Sequence, residues 1–330
     1  MAARGGWTRE TLAAGVRAGE KRALARAITL VENGEPLAYD LVRDIYADTG
    51  RAYALGVTGP PGVGKSSLIS ALVRHVRGRG QSVGVLSVDP SSPFSHGALL
   101  GDRIRLSDHF LDPGVFIRSM GSRGHLGGLA EAALQAMLVL DAAGKELLFL
   151  ETVGAGQGEV EVIGIADTVL LVLMPGSGDS VQALKAGIME IPDVIAVNKM
   201  DHPAAKTMVN EVRSILTLDK ERKWKPPIVL TEAMRGENVD VLWKKIEAHR
   251  AFLEQDGELE RRRRRNLAGE VFAVASSRAK LHLEHAVADD PELRRLLDEV
   301  QRRELDPLTA VREIMEKVFR IGDENGSERR

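Results

Sequence analysis

The chain has 330 residues, of which 44% are hydrophobic and 28% are charged, and its formal net charge is −2. This length fits one large α/β domain with additions, and the near-neutral charge gives no field that would favour nucleic acid or an anionic membrane. The absence of cysteine excludes disulfides and cysteine-ligated metal sites and suits a reducing compartment. The longest apolar run, Val169–Met174, is too short to span a bilayer. We therefore expect a cytoplasmic protein with no nucleic-acid or membrane partner.

Residues 1–50 are predicted to form a helical extension in front of the main domain. Thr8 is placed to cap a first helix and Pro36 to begin a later one, and Leu24, Ile28 and Val31 recur at helical spacing between them. We expect these helices to pack on the sheet of the following domain. A role in binding a partner is the alternative.

Residues 51–255 alternate short apolar runs with helical patterns. Several of the runs are apolar throughout, as expected for strands that helices cover on both faces. The order predicts an α/β fold with a mostly parallel, doubly wound sheet. The seven predicted strands are Tyr53–Thr58, Ser82–Val88, Val115–Ser119, Glu146–Glu151, Thr168–Leu173, Val194–Asn198 and Pro227–Thr231.

A glycine-rich segment, GPPGVGKSS, follows the first predicted strand and precedes a helical pattern. Its G-x-x-x-x-G-K-S spacing in this context is typical of a P-loop, whereas an ordinary glycine turn requires neither the lysine nor the serine. In a P-loop the backbone N–H groups surround the phosphates, Lys65 reaches the β- and γ-phosphates, and the Ser66 hydroxyl ligates Mg²⁺. The segment predicts a nucleoside-triphosphate site, and its predicted phosphate-binding residues are Gly59, Gly62, Val63, Gly64, Lys65, Ser66 and Ser67.

A second motif, Asn198-Lys199-Met200-Asp201, ends the predicted strand Val194–Asn198. This N-K-x-D pattern selects guanine, because an aspartate accepts from both the ring N–H and the exocyclic amine, which adenine does not offer together. The tetrapeptide alone is a weak signal, and capping or turn residues are the alternative, but its position after a P-loop strengthens it. A further base-binding loop is expected at Thr231-Glu232-Ala233, where the Ala233 N–H would meet the guanine carbonyl. Glutamate replaces the serine that many GTPases have there.

The predicted catalytic and metal residues follow other strands. Glu151 and Gly154 stand where GTPases have D-x-x-G, so Glu151 is predicted to hold Mg²⁺ through water and Gly154 to contact the γ-phosphate. Gln157 is the candidate that orients the attacking water, and together with Lys65 and Glu151 it forms the predicted catalytic set. Asp89 and Asp102, which follow the second strand, complete the predicted Mg²⁺ residues with Ser66 and Glu151, although turn or cap roles are the alternative for both aspartates.

The region 256–330 is predicted to be purely helical and to form a dimer. Asp306-Pro307 begins a final helix on which Leu308, Val311, Met315 and Val318 form one apolar stripe, which we expect to pack against a second copy. Five consecutive arginines, Arg261–Arg265, surround a helix instead of forming one face. They predict a solvated or subunit-bridging surface and not a nucleic-acid site.

The motifs together resemble those of one family, the methylmalonyl-CoA mutase-associated GTPases of the MeaB/ArgK/MMAA group. They are GPPGVGKSS, VDPSSP, GDRIR, ETVGAGQGEVEV, PGSGDSVQALKAGIMEI and NKMD, and the resemblance runs from about Ala14 to the C-terminal helices. It implies a homodimeric GTPase that uses GTP and Mg²⁺ as the chaperone of an adenosylcobalamin-dependent acyl-CoA mutase. Such a protein gates cofactor loading and protects or reactivates the mutase. The resemblance also implies a switch at Pro175–Gly187 that relays nucleotide state to the mutase, and dimerisation through the C-terminal helices.

Three other functions stay open at this point. A nickel-insertion GTPase would have this fold, but such proteins rely on Cys/His metal sites that a cysteine-free chain does not show. An ATP-dependent kinase of an amino-acid transport system is opposed by the guanine-selecting NKMD. A noncatalytic GTP-binding scaffold is the third, because the group that positions water is not fixed. The client, methylmalonyl-CoA or isobutyryl-CoA mutase, is also left open.

Overall fold

The structure is a computed structural model that describes residues 7–89, 106–121, 128–152, 164–176, 191–217 and 223–319. The chain divides into two compact units, Met1–Glu270 and Val271–Arg330. The first unit contains the sheet and every described residue of the predicted nucleotide site. The second unit is helical in its described residues.

A seven-stranded sheet forms the centre of the first unit. Its strands are arranged in the order β3-β2-β4-β1-β5-β6-β7, and each described pairing between these strands is parallel. The predicted parallel sheet is therefore confirmed, and each predicted run forms a strand with bounds shifted by at most two residues. The strands are β1 Tyr53–Thr58, β2 Val83–Asp89, β3 Val115–Gly121, β4 Leu147–Thr152, β5 Thr168–Leu173, β6 Val194–Val197 and β7 Ile228–Leu230.

Helices cover both faces of this sheet, as a doubly wound fold requires. The α-helices are α1 Arg9–Arg17, α2 Lys21–Glu32, α3 Pro36–Ile45, α4 Lys65–Arg77, α5 Gly128–Ala142, α6 Ala205–Leu216, α7 Val239–Gln255, α8 Glu258–Asp289, α9 Pro291–Gln301 and α10 Pro307–Phe319. Helices α1, α2, α3 and α5 share a hydrophobic cluster with one face, α6 covers β5 and β6, and α4 and α7 pack on the opposite face. None of the helices described here is both long enough and apolar enough to cross a membrane.

The N-terminal helices are part of the core of the first unit. Thr8 caps α1 by accepting a hydrogen bond from the Thr11 N–H at 3.3 Å, and Pro36 occupies the first turn of α3, both as predicted. Leu24 and Ile28 of α2 are fully buried in the cluster that includes α5 and the sheet. Burial of such a side chain stabilises a fold by about 1.5–3 kcal/mol. The structure therefore favours the packing role that we expected for this extension.

Two buried aspartates close the amino-terminal edge of the sheet. Asp167 accepts a hydrogen bond from the Ala54 N–H at 2.9 Å, and Asp193 accepts one from the Val169 N–H at 2.9 Å. Both side chains are at least nine-tenths buried. Each aspartate therefore satisfies a backbone donor at this end of the sheet, where an unpaired buried N–H would destabilise the fold.

The arginine run differs at two positions from the solvated surface that we expected. Arg262 pairs with Asp193 at 2.9 Å, and Arg263 pairs with Asp167 at 2.7 Å. Both guanidinium groups donate two hydrogen bonds to their carboxylate, which is the strongest geometry for such a pair. Two of the five arginines therefore fix the start of α8 to the sheet, while others of the run pair with Glu258.

The second unit contains α9 and α10, which pack on each other, and Leu293 of α9 and Ala310 of α10 are buried. Asp306 caps α10 as predicted, because its carboxylate accepts from the Leu308 N–H at 3.0 Å. The predicted apolar stripe is not covered in the single chain at two of its positions, since Leu308 is 81% exposed and Val311 is 56% exposed.

Candidate nucleotide-binding site

The loop between β1 and α4 adopts backbone conformations that favour glycine. Gly59 has a φ of 141° and Gly64 a φ of 94°. A Cβ at position 59 would lie 2.1 Å from the Val172 carbonyl oxygen, and one at position 64 would lie 2.5 Å from Nδ2 of Asn198. The two glycines thus allow the loop to pack directly against β5 and against the residue that follows β6.

Lys65 is the first residue of α4, and its side chain folds back over the loop. Its Nζ donates to the carbonyl oxygens of Gly59 and Pro60 at 2.6 and 3.0 Å, and the side chain is buried. The ammonium group lies beside a helix N-terminus whose cap, Gly64, offers no side-chain acceptor. Unpaired N–H groups and the helix dipole favour an anion there. A phosphate oxygen carries charge and therefore competes well with the two neutral carbonyls for Lys65.

Glu151, at the carboxyl end of β4, is held between two serines. Ser66 Oγ donates to its Oε1 at 2.5 Å, and Ser87 Oγ donates to its Oε2 at 3.0 Å. The pairing of β2 with β4 places Ser87 directly beside Glu151. A hydroxyl that donates to a carboxylate keeps its own lone pairs. The oxygens of Ser66 and Glu151 therefore fit a hard cation such as Mg²⁺, which P-loop GTPases generally bind with the nucleotide.

Asn198 joins the P-loop to the loop after β7. Its Nδ2 donates to the Val63 carbonyl at 2.9 Å, and its Oδ1 accepts from the Ala233 N–H at 3.1 Å and from Thr231 Oγ1 at 3.3 Å. The asparagine of the N-K-x-D motif thus sets the distance between the two loops. Because the Ala233 N–H is bonded to Asn198 here, its predicted contact with the guanine carbonyl requires that bond to be shared or exchanged.

The remaining base-site residues line a cavity of about 610 Å³ beside the P-loop. Lys199 has a φ of 57°, and its Nζ donates to the Gly62 carbonyl at 3.4 Å. Asp201 is exposed, and a hydrogen bond with Glu232 lowers its pKa. Burial, followed by the contact with Asp201, raises the pKa of Glu232. The lining residues are Gly62, Gly64, Ser67, Asn198, Lys199, Asp201, His202, Pro203, Glu232, Ala233 and Met234.

The structure brings together the predicted phosphate and base residues, while the roles of these residues stay predictions. Asp89 is the last residue of β2, and only its backbone is described. Asp102, Gly154 and Gln157 lie outside the described residues, as does the stretch Pro175–Gly187 beyond Gly176.

Two contacts of the site were not predicted from the sequence. The first is the bond from Ser87 to Glu151, which depends on β2 lying next to β4. The sequence did contain an indication of this contact: Ser87 lies two residues before Asp89, so both side chains are expected on the same face of the strand. The second is the contact between Asp201 and Glu232. The sequence indicated this contact only through Glu232, which stands where many GTPases have serine.

The parallel sheet, the glycine-dependent loop and the lysine at a helix N-terminus define a P-loop nucleotide-binding protein. The N-K-x-D residues beside that loop place it in the guanine-selective class of these proteins. The assignment to this class rests on the geometry of the loop, on the contacts of Asn198 and on the N-K-x-D motif.

A family model described as methylmalonyl Co-A mutase-associated GTPase MeaB matches residues 24–288, and the chain belongs to this family. A putative GTPase of Pyrococcus abyssi is 45% identical over 308 residues, which cover 92% of this chain and 95% of that protein. The mitochondrial methylmalonic aciduria type A homolog of Caenorhabditis briggsae is 33% identical over 296 residues, covering 81% and 72% of the two chains. The crystal structure of a LAO/AO transport system kinase superposes with a TM-score of 0.72 at 28% identity, covering 96% of this chain and 100% of that chain. The protein is a GTPase, and the resemblance seen in its motifs is confirmed.

Proposed function

We propose that this GTPase is the nucleotide-dependent chaperone of an adenosylcobalamin-dependent acyl-CoA mutase, with methylmalonyl-CoA mutase as the first client to test. The match over residues 24–288 to a family described as associated with that mutase carries the proposal. The name of the Caenorhabditis briggsae relative, which refers to methylmalonic aciduria, supports it. In this function GTP binding and hydrolysis gate cofactor loading and protect or reactivate the mutase in the cytoplasm.

Guanine recognition is assigned to the cavity beside the P-loop. Asp201 accepts from the ring N–H and the exocyclic amine of the base, while Asn198 holds the P-loop and the loop at Ala233 at a fixed separation. An adenine would leave the Asp201 carboxylate without these donors. We therefore expect ATP to be rejected by about 10⁴-fold relative to GTP.

Phosphate chemistry is assigned to Lys65, Ser66 and Glu151. Lys65 exchanges its two carbonyl partners for the β- and γ-phosphate oxygens and stabilises the charge that develops on them. Ser66 would ligate Mg²⁺ and Glu151 would hold it through water, and the bound ion would further neutralise the phosphate charge. Ser87 keeps the Glu151 carboxylate oriented by donating to its second oxygen. Gln157 retains its proposed role of orienting the attacking water.

Nucleotide state reaches the mutase through segments that contact the γ-phosphate or its cation, because GTP and GDP differ by one phosphoryl group. These segments are the loop around Asp102 and the turn Glu151–Gln157, and Pro175–Gly187 is proposed to relay the change to the client. Linkage then requires the mutase to change GTP affinity by the same factor by which GTP changes mutase affinity.

A homodimer formed through the C-terminal helices is part of the proposal. Leu308 and Val311 of α10, and Val271 and Phe272 of α8, are large apolar side chains that are more than half exposed in the single chain. Their exposure supports an interface because a second copy could remove this apolar surface from water.

The decisive experiment mixes the purified full chain with methylmalonyl-CoA mutase and adenosylcobalamin, and follows mutase inactivation with GTP, GDP or no nucleotide. We expect a complex in sedimentation and a mutase lifetime that depends on the nucleotide. Asp201→Asn supplies a matched control, because an amide at this position favours xanthine over guanine. Protection by this variant should follow xanthosine triphosphate instead of GTP. If no complex forms and the mutase lifetime does not depend on nucleotide, the client is wrong.

A second function, a nucleotide-dependent kinase, has one observation in its favour. A solved structure that covers 96% of this chain is named a LAO/AO transport system kinase. Incubation with γ-labelled GTP and ATP separates the two functions. A kinase would transfer the label to a protein or small acceptor, and preferentially from ATP, whereas the proposed chaperone releases it from GTP as inorganic phosphate.

A further inference from the structure

The base-facing cavity contains a pair of carboxyl groups in contact, Asp201 and Glu232. Glu232 is 7% exposed and lies directly before Ala233, whereas Asp201 is exposed. Both side chains line the cavity beside the P-loop, and a hydrogen bond between them lowers the pKa of Asp201 and adds to burial in raising that of Glu232. Two carboxyl groups in such contact repel each other when both are ionised, which favours a state in which they share one proton.

The surroundings assign this proton to Glu232. Burial, and then the contact with Asp201, raise the pKa of Glu232 above its ordinary 4.5, while the hydrogen bond from Glu232 lowers the pKa of Asp201. Glu232 Oε1 accepts from the Met234 N–H at 3.2 Å. A protonated carboxyl group can accept at one oxygen and donate from the other, so this bond is compatible with donation to Asp201. The other charged or ionisable groups around the pair are Lys199, His202 and Arg235, and Arg235 is itself paired with Glu237 at 3.0 Å.

We propose that Glu232 is a positioning residue for guanine: its protonated carboxyl group donates to Asp201 and holds the Asp201 carboxylate for the base. The proposal rests on the proposed guanine binding by Asp201. A serine, which many GTPases have at this position, offers a hydroxyl donor that does not ionise at ordinary pH. Glutamate offers an equivalent donor only while it keeps its proton. Base recognition in this protein therefore depends on protonation.

The sign of the pH dependence follows from linkage. A bound base covers the cavity and removes water, so a second negative charge beside Asp201 becomes less favourable in the complex than in the free protein. The complex therefore binds the Glu232 proton more tightly, and nucleotide binding takes up protons above the pKa of Glu232 in the free protein. Below that pKa the Glu232 contribution to affinity is constant. Above it, affinity weakens by up to about tenfold per pH unit until the complex also loses the proton.

The test is isothermal titration of the full chain with GDP from about pH 5 to 8.5, in buffers of different ionisation enthalpy, so that proton uptake is measured directly. The phosphates of GDP also titrate, so the informative quantity is the difference between variants. Glu232→Gln keeps an N–H donor that does not ionise, and should retain low-pH affinity within about threefold while it loses the additional pH slope. Glu232→Ala removes the donor and should lose about tenfold or more at low pH.

Two controls isolate Glu232 from the other acidic and ionisable groups. Asp240→Asn changes an exposed carboxylate on α7 that pairs with Lys244, and should reproduce the pH slope of the unmodified protein. His202→Gln removes the imidazole that lines the same cavity, and the Glu232-dependent slope should persist in it whatever its absolute affinity. If Glu232→Gln does not fold, Glu232→Ser, which also keeps a hydroxyl donor, replaces it.

The outcomes separate this inference from the proposed function. Equal pH slopes in the unmodified protein and in Glu232→Gln would overturn the inference, as would proton uptake by the unmodified protein that is no greater than uptake by Glu232→Gln. If either result came with strong selection of GDP over ADP, only the role of Glu232 would be lost. Equal affinity for GDP and ADP would instead overturn the guanine recognition on which the inference rests.

Discussion

Asn198→Ala is the substitution that tests the construction of the base site most directly. Asn198 is the side-chain partner of the Val63 carbonyl and of the Ala233 N–H, both in buried residues, at 2.9 and 3.1 Å. A buried group left without its partner destabilises a fold by about 1–3 kcal/mol. Loss of both bonds should therefore lower the free energy of unfolding by about 3 kcal/mol, and the melting temperature by about 6–12 °C.

The assay for Asn198→Ala is thermal and denaturant unfolding of the nucleotide-free protein, together with GDP titration. Thr231→Val is the matched control, because it removes only the longest of the three bonds, at 3.3 Å, and should destabilise by about 1 kcal/mol or less. Affinity for GDP should fall in Asn198→Ala because the two loops lose their common partner. If Asn198→Ala is no less stable than Thr231→Val, Asn198 does not join the loops as described.

A second substitution tests whether Asn198 and the P-loop pack against each other. The Cβ of Gly64→Ala would lie 2.5 Å from Asn198 Nδ2, too close for two non-bonded atoms, and the φ of 94° at Gly64 disfavours alanine independently. Asn198→Ala removes the steric conflict and leaves the backbone strain. Gly64→Ala should therefore destabilise less in the Asn198→Ala background, with a coupling energy of about 0.5–3 kcal/mol. Strictly additive effects would contradict the packing.

Three further substitutions test other parts of the molecule. Lys65→Ala should abolish GTP hydrolysis, measured as phosphate release, because the developing charge on the phosphate oxygens loses its cation; turnover at the unmodified rate would contradict the assignment. Arg263→Ala leaves Asp167 without its cation and should destabilise by about 3 kcal/mol in denaturant unfolding, whereas the exposed Arg264→Ala should change stability little. Leu308→Asp should convert a dimer to monomers in sedimentation while GTP binding is kept, and an unmodified protein that is already monomeric at micromolar concentration refutes the interface.

The sheet was predictable because its strands are apolar throughout, and the P-loop because its pattern has few other uses. The order of the strands was not contained in either signal. The contacts of Glu151 depend on that order. Strand β4 lies between β1 and β2, and Ser66 belongs to the helix that follows β1, whereas Ser87 belongs to β2. The motif therefore predicted that Glu151 lies at a strand end. The side chains that contact it could be identified only from the order of the strands in the folded sheet.

The arginine run shows the same limit of local pattern. Helical geometry placed its five side chains around a helix, so some of them had to face the protein. Their partners are distant in sequence: Asp193 is 69 residues from Arg262, and Asp167 is 96 residues from Arg263. A spacing rule reaches only a few residues along a helix, so it could not identify these aspartates. Interpretation of the run as solvated was wrong at these two positions for that reason.

The two edges of the sheet divide stability from nucleotide chemistry. At the amino edge, Asp167 and Asp193 satisfy strand N–H groups and are neutralised by arginines, an arrangement that needs no ligand. At the carboxyl edge, Lys65 donates to two backbone carbonyls and Glu232, whose pKa is raised, is the proposed donor to Asp201, so both change partner or environment when a nucleotide arrives. Substitutions at the amino edge should therefore lower stability without altering the preference for guanine over adenine. Substitutions at Asp201 should alter that preference with little loss of stability, because its carboxylate is exposed.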